Sequence, residues 1–169
     1  MLKTTDSTQT KTLDDLFEHA LKDIYYAEKR IYKALPKMIK AAHDDGLRAG
    51  LEDHRGETEQ HISKLEQIFA LLEKSPKAQK CDAIDGILEE ADGILKDFGK
   101  TKSCDAAIIF SGQAVEHYEI TRYGSMHAYA NALGMTEAAE LIASILEQEK
   151  AADQKLTDLA EDRINHAAE

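Results

Sequence analysis

The chain of 169 residues contains no tryptophan, two prolines, two cysteines and nine glycines. So little proline and glycine argues against a loop-rich or collagen-like chain, and no run of β-branched and aromatic residues marks a strand. No segment approaches the roughly 18 uninterrupted apolar residues of a membrane-spanning helix. Cys81 and Cys104 lie far apart without a C-x-x-C motif, so neither a disulfide scaffold nor a thiolate zinc site is expected.

Positive charge is also in short supply, because 21 Lys and Arg stand against 32 Asp and Glu, a formal net charge of −11. Such a chain repels nucleic acid and anionic lipid, whereas it tolerates or attracts cations. We therefore expect metal ions, but no nucleic acid and no membrane, as partners. The first residues contain no apolar signal segment, which predicts a cytoplasmic protein with a flexible tail over residues 1–11.

Helix-forming residues are abundant, and apolar residues recur at helical spacing in four long segments: 12–45, 47–74, 103–133 and 136–165. Thr12 and Asp15 fit a capping box at the start of the first segment. Gly46 and Gly134 are the predicted stop signals of the first and third segments. Pro36 predicts a kink in the first helix rather than its end, because the apolar periodicity continues beyond it.

The connections between these helices predict the topology. Very short turns join the first helix to the second and the third helix to the fourth, so each of these two pairs is expected to form an antiparallel hairpin. Residues 81–99 form a short amphipathic helix within the long central connection. The prediction is an all-α, ferritin-like four-helix bundle over residues 12–165, with two hairpins joined by a long crossover that contains a short extra helix, and a tail over residues 166–169. An up-and-down bundle with a decorated loop is the alternative.

The core-facing stripe of each predicted helix, its seam, is interrupted by acidic residues near the middle of the helix. Mid-length positions stay level with one another whether neighbouring helices run parallel or antiparallel. The bundle geometry therefore predicts one layer that contains six carboxylates: Glu28, Glu57, Glu116, Glu119, Glu149 and Asp153.

Six carboxylates cannot share a dry layer unaided, because each unpaired charge costs several kcal/mol to bury and their repulsion adds to this cost. The seams offer no Lys or Arg at that level. Two divalent cations bridged by carboxylates satisfy the count, and oxygen-rich ligation favours iron first and manganese second. His54 and His61 share a helix face with Glu57 and are possible further ligands. The alternative is that these acids lie on solvated faces.

Three neighbours of the acids carry polar groups of their own. Tyr25 and Tyr123 each lie one turn from a seam glutamate and could hydrogen-bond a carboxylate, but simple packing is the prediction. His117 lies about 100° around the helix from Glu116, so it is expected near the surface or behind the ligands.

At these positions the sequence resembles the YciF/YciE family of stress-associated, ferritin-like bacterial proteins. The segments that carry the resemblance are Tyr25-x-x-Glu28-Lys29, His54-x-x-Glu57-Thr58, Glu116-His117-Tyr118-Glu119 and Glu149-Lys150-x-x-Asp153. The resemblance extends over residues 12–165. It implies a ferritin-like bundle that forms a homodimer, holds a di-iron or dimanganese site and acts in the bacterial stress response.

A more distant resemblance is to the rubrerythrins, whose third core helix carries an E-x-x-E motif as residues 116–119 do here. The chain departs from the wider superfamily because Gln60 follows Glu57 at +3 and Ala152 follows Glu149 at +3, where E-x-x-H is usual. The expected function is that of a di-metal carboxylate protein that handles peroxide or oxygen, or oxidises Fe(II). The alternative is a non-enzymatic helical bundle that acts through oligomerisation or protein partners, without a functional metal site.

Overall fold

A computed structural model describes residues 10–169, so most of the predicted N-terminal tail lies outside the described residues. Within this part of the chain there are five long helices and no strand: α1 (Leu13–Ala41), α2 (Asp45–Leu71), α3 (Asp82–Phe98), α4 (Cys104–Ala132) and α5 (Thr136–Leu159). The prediction of an all-α fold is confirmed. Among the described residues, none of the helices is long and apolar enough to cross a membrane.

Helix α1 begins where the sequence predicts. The Thr12 hydroxyl accepts a hydrogen bond from the backbone N–H of Asp15, and the Asp15 carboxylate accepts one from the backbone N–H of Thr12, which completes a capping box. The helix then continues through Pro36 to Ala41. Its buried face presents apolar residues on both sides of Glu28, which lies near the middle of the helix.

The predicted boundary between the first two helices is wrong by several residues. The first helix was expected to run to residue 45 and to be stopped by Gly46, but the chain is already extended at Ala42. Asp44 is the N-cap of α2, and its carboxylate accepts a hydrogen bond from the backbone N–H of Leu47 at 2.8 Å. The carboxylate of Asp105 on α4 accepts the backbone N–H groups of residues 43 and 44. A side-chain cap and a long-range contact therefore make this turn.

The second hairpin turn follows the prediction closely. Gly134 has φ = 71°, and the backbone N–H of Met135 reaches back to the carbonyl of Ala130 at 2.9 Å. This is the pattern of a Schellman motif, which needs a left-handed residue that glycine adopts without steric cost. Helices α4 and α5 consequently pack as an antiparallel hairpin, as α1 and α2 do.

The two hairpins are arranged so that neighbouring helices of the four-helix bundle, α1, α2, α4 and α5, run antiparallel. Cys104 at the start of α4 contacts the carbonyl of Ala41 at the end of α1. Asp53 near the start of α2 pairs with Lys155 near the end of α5. It follows that α2 and α4 run in the same direction at opposite corners. The crossover between them, which contains α3, packs across α1 and α4. This is the predicted ferritin-like connection rather than the up-and-down alternative.

The interior is apolar at both ends of the bundle and polar in the middle. The largest fully buried apolar side chains lie above and below the central layer: Phe17, Leu21, Ile24, Leu47, Leu65, Ile68, Phe69, Ile84, Met126, Ile142 and Ile145. At the C-terminal end, α5 continues through a π-helical turn (Ala160–Ile164) into a short helix (Asn165–Ala167). Residues 166 and 167 of the predicted tail are helical, and Ala160 and Ile164 just before them still pack on the core.

Candidate metal centre

Four of the predicted carboxylates meet in the central layer. Glu28 of α1, Glu116 and Glu119 of α4, and Glu149 of α5 are all buried, with at most 3% of any of these residues exposed. Each lies near the middle of its helix, so helix length and antiparallel packing bring them to the same level. Helix α2 contributes no fully buried acid to this layer.

Helix α2 instead contributes two histidines. His54 is 6% exposed and places Nε2 at 3.3 Å from Glu116 Oε1 and Nδ1 at 4.0 Å from Glu149 Oε2. His61 is fully buried and places Nδ1 at 3.0 Å from Glu149 Oε1 and at 3.3 Å from Glu28 Oε1. The two imidazoles therefore face the acids of α1, α4 and α5.

The contact of His61 Nε2, the ring nitrogen that points away from the acids, determines whether Nδ1 carries a proton in the neutral ring. His61 Nε2 lies 3.3 Å from Gln148 Oε1, an oxygen that also accepts a hydrogen bond from Lys64. Because this amide oxygen can only accept, the proton belongs on Nε2 of the neutral ring. The lone pair of Nδ1 is then directed towards Glu28 and Glu149, which is the orientation a metal-binding histidine adopts.

The buried ligand atoms form two groups, within each of which they lie no more than 4.8 Å apart. The outer group comprises His54, Glu116, Glu119 and Glu149. The inner group comprises Glu28, His61 and Glu149. Glu149 belongs to both groups, as a carboxylate that bridges two metal ions would.

The two tyrosines differ in their contacts. The hydroxyl of Tyr123, a fully buried residue, donates a hydrogen bond to Glu28 Oε1, so the prediction that this ring only packs is wrong. Tyr25 packs edge-on against Phe69 and donates its hydroxyl to Glu66 at 2.8 Å, away from the acids of the layer. Tyr123 therefore fixes one acid of the inner group, whereas Tyr25 supports the packing of α1 against α2.

Two of the predicted ligands are not brought into either group. The Glu57 side chain is 36% exposed, and its Oε2 lies 3.8 Å from His54 Nδ1 at the edge of the layer. Asp153 instead pairs with the exposed ring of His117, Nε2 to Oδ2 at 3.0 Å, and accepts a hydrogen bond from Gln113. His117 thus lies at the surface, which is one of the two expected places.

Known proteins resemble this sequence over almost its whole length. The family model described as a domain of unknown function, DUF892, matches residues 12–169. The chain belongs to the DUF892 family. It is 40% identical over 160 residues to Protein YciF of Escherichia coli K12, covering 94% of this chain and 96% of that protein.

Solved structures resemble the fold over almost its whole length. The crystal structure of the E. coli stress protein YciF has a TM-score of 0.87 at 39% identity, with 92% of this chain and 99% of that chain covered. YcfI of Rhodopseudomonas palustris has a TM-score of 0.86 at 44% identity, with 89% and 96% covered. A Xanthomonas campestris protein shares the fold alone, with a TM-score of 0.73 at 24% identity, 92% of this chain and 96% of that chain being covered.

In this DUF892 chain, the side chains of the buried layer shift one another's pKa values. Burial, with the charges of Glu149 and Glu28, raises the pKa of Glu116 and of Glu119 well above the usual value. The pKa of Glu149 is lowered, because its contacts with His61 and His54 outweigh the effect of burial. For His61, burial alone would lower the pKa, but the carboxylates of Glu149 and Glu28 outweigh it and raise the pKa to about 10. Without metal, an imidazolium and protonated acids compensate the charge.

The donor set fits two divalent cations better than it fits a dry protein core. Among residues 10–169, ten buried side-chain nitrogen and oxygen atoms have no hydrogen-bond partner, and nine of them belong to the ligand side chains: Glu28, His54, His61, Glu116, Glu119 and Glu149. Buried polar atoms are ordinarily paired, because each orphan costs about 1–3 kcal/mol. Four carboxylates and two neutral imidazoles also balance the charge of two divalent ions.

Proposed function

We propose that this chain is a ferritin-like di-metal carboxylate protein of the bacterial stress response that binds two divalent ions, iron in first place and manganese in second. The observation that carries the proposal is the set of nine orphaned ligand atoms, which six side chains from four helices aim at one layer. Without protonation of His61 and of the acids, hydrogen bonding within the described residues leaves these atoms unsatisfied, and coordination of two cations would satisfy them together. The likeness to a stress protein of E. coli supports the biological setting.

Each ligand group has a distinct task in this proposal. Glu149 would be shared by the two ions, and Glu119, which has both carboxylate oxygens buried, would bind the outer ion from the neighbouring helix α4. Glu28 would hold the inner ion in an orientation set by the Tyr123 hydroxyl. His54 would supply one nitrogen to the outer ion, and His61 would supply one to the inner ion. Glu57, whose carboxylate lies 3.8 Å from His54 Nδ1, would be able to bind the outer ion after rotation of its side chain.

Two bound iron ions would supply the electrons for a two-electron reduction of peroxide or oxygen, or would accept them in turn from Fe(II). For hydrogen peroxide, the O–O bond breaks, two electrons and two protons are taken up, and two molecules of water leave. The chain provides a proton-bearing group beside the layer, because burial and the Glu28 carboxylate raise the pKa of Tyr123 and keep its hydroxyl protonated.

Metal analysis tests the proposal. Protein purified without chelator is expected to contain about two iron or manganese ions per chain, and added Fe(II) or Mn(II) should raise the melting temperature of the stripped protein. Rapid consumption of peroxide by the Fe(II)-loaded protein would identify the reaction. Metal-free protein whose melting temperature does not respond to either ion would overturn the proposal.

One observation favours the non-enzymatic alternative, since the R. palustris protein similar to this chain is proposed to be a structural protein. In that case the His61 imidazolium and protonated acids hold the layer together permanently, and the bundle acts through self-association. We propose a homodimer in either case, and sedimentation velocity tests it. The alternative requires that wild-type protein bind neither Fe(II) nor Mn(II) and that Glu116→Gln leave its melting behaviour in their presence unchanged.

A further inference from the structure

A cleft of about 540 Å³ separates α2 from α5 and leads from the surface to the buried layer. Its walls are lined by small residues on both helices, Gly50 and Gly56 on α2 and Ala151 and Ala152 on α5. Large side chains at these positions would close the space between the two helices. The cleft therefore exists because the facing surfaces of α2 and α5 lack bulk where they pass the layer.

The floor of this α2/α5 cleft is formed by members of the outer group. His54 and Glu116 both line it, and they are 6% and 3% exposed. Both ring nitrogens of His54 and Oε2 of Glu116 have no hydrogen-bond partner among the described residues. Almost completely buried ligand atoms thus face a space that is continuous with solvent, which a sealed structural core would not require.

A second opening reaches the same pair from the other side, but its chemistry is different. It has a volume of about 40 Å³ and is lined largely by apolar side chains, among them Ile31, Leu35, Leu88 and Val115. A hydrated cation would lose its water shell there without gaining polar partners. Only the α2/α5 cleft, of these two openings, combines sufficient room with polar walls.

The charge of the α2/α5 cleft also suits cations. Its lining includes the carboxylates of Glu52, Asp53 and Glu57, and Lys155 is the single Lys or Arg among the described residues that line it. Lys155 crosses from α5 to pair with Asp53, Nζ to Oδ2 at 3.2 Å, beside Gly50. An acidic cleft with low-dielectric walls concentrates cations and accelerates their association.

We propose that the α2/α5 cleft is the entrance through which hydrated divalent cations reach the buried layer, with the outer group binding before the inner group. This inference rests on the proposed function, because it presupposes a metal centre. It adds the route, the order of loading and the residues that control the rate. Lys155 and Asp53 span the route as an ion pair, so uptake is slowed by the lysine and favoured by the acids around it.

The chain offers a matched pair of variants for testing the route. A Cβ added at Gly56 in the cleft, or at Gly93 on the exposed face of α3, would meet no heavy atom within 4 Å in the described part of the molecule. Both glycines lie in helices, so Gly56→Phe and Gly93→Phe gain similar helix propensity and are expected to fold. Only the first substitution places an aromatic ring in the cleft.

Uptake is measured by mixing the metal-free protein with Co(II) in a stopped-flow instrument and following tyrosine fluorescence, which no tryptophan obscures. Bound metal is counted separately by elemental analysis after equilibration. Gly56→Phe should take up Co(II) about tenfold more slowly than wild type, since the cleft must open first, yet reach the same final content. Gly93→Phe should match the wild type in both respects.

Charge variants provide the second arm of the experiment. Lys155→Gln should accelerate uptake and Glu52→Gln should slow it, and added salt should reduce both differences. Equal uptake rates in Gly56→Phe and wild type, or equal slowing in both phenylalanine variants, would contradict the proposal that the α2/α5 cleft is the entrance. If wild-type protein bound no metal at equilibrium, the proposed function itself would fall, and the final metal content distinguishes this outcome from a misplaced entrance.

Discussion

The inner and outer groups of the buried layer share Glu149 but differ in their surroundings. In the inner group, Glu28 is held by the Tyr123 hydroxyl and by His61, and both Glu28 and His61 are completely buried. In the outer group, Glu116 and His54 line a wide cleft, and several of their polar atoms lack partners. One half of the layer is thus preorganised and closed, whereas the other half is open and adaptable. Under the proposed function, the inner half would position an ion and the outer half would admit and exchange it.

Substitution of the shared Glu149 is expected to have the largest effect on metal binding by the two groups. Glu149→Gln should abolish binding at both positions, so that the metal content falls from about two ions per chain to about none. Glu28→Gln and Glu116→Gln should each remove only about one ion, from the inner and the outer position respectively. Elemental analysis of the three purified variants measures the difference. Retention of one ion by Glu149→Gln would show that the groups are independent.

The protons held by the metal-free layer lead to a pH dependence. Glu116, Glu119 and His61 all have raised pKa values in the folded protein, that of His61 reaching about 10. Their stabilising contribution is complete below the pKa values of the unfolded chain and is lost as the pH rises towards the folded values. The free energy of unfolding of metal-free protein should therefore fall by a few kcal/mol between about pH 6 and pH 10. Urea titrations measure it.

Metal should remove this dependence, because the ligands that bind ions are deprotonated in the folded protein and, above about pH 7, in the unfolded chain as well. The stability of Mn(II)-loaded protein should therefore change little over the range in which that of the metal-free protein falls. A metal-free protein that gains stability between the same two pH values would show that the layer does not hold these protons.

Single removals of acids sharpen the contrast in the metal-free state. Glu119 has no hydrogen-bond partner for either oxygen among the described residues, so Glu119→Leu should stabilise the metal-free protein by about 1–4 kcal/mol. Glu28→Leu should destabilise it by about 1–3 kcal/mol, because it leaves the buried Tyr123 hydroxyl without its acceptor. Denaturant unfolding at one pH compares the two variants directly. Changes of the same sign in both would remove the distinction between a paired and an unpaired acid.

The smallest expected effect concerns the hydrogen bond of the inner group. Tyr123→Phe should weaken binding of the inner ion about tenfold while leaving the outer ion unaffected, because the hydroxyl only orients Glu28. Tyr25→Phe is the matched control, since its hydroxyl contacts Glu66 instead. Calorimetric titration with Mn(II) resolves the two binding steps. A similar loss of affinity in both tyrosine variants would indicate a general effect on packing.

The positions of Glu28, Glu116, Glu119 and Glu149 could be predicted from the sequence because two properties of helices suffice for them. Seam spacing places each side chain in the core, and mid-helix position places it at a common level. The packing partner of each acid, and the cleft beside them, depend on which helices are neighbours. That information lies in the crossover and in the small residues of α2 and α5, which a single seam pattern does not encode.

Asp153 and Glu57 lie outside the two groups of buried ligand atoms because small rotations around a helix change what a side chain contacts. Asp153 follows Glu149 by four residues and is therefore turned about 40° around α5, far enough to reach His117 instead of the layer. Glu57 is turned about 60° from His54 and lies on the edge of the α2 stripe. The histidines themselves fall on the seam of α2, so their spacing in the sequence already favoured them over Glu57.

The position of Glu149 in both groups also bears on how the layer fills. A first ion that captures one oxygen of Glu149 fixes the rotamer of the side chain and lowers the repulsion among the remaining acids, so the second ion meets a ligand already ordered for it. The outer ion would thus lower the free-energy cost of ordering Glu149 for the inner ion, while each position still binds its own ion.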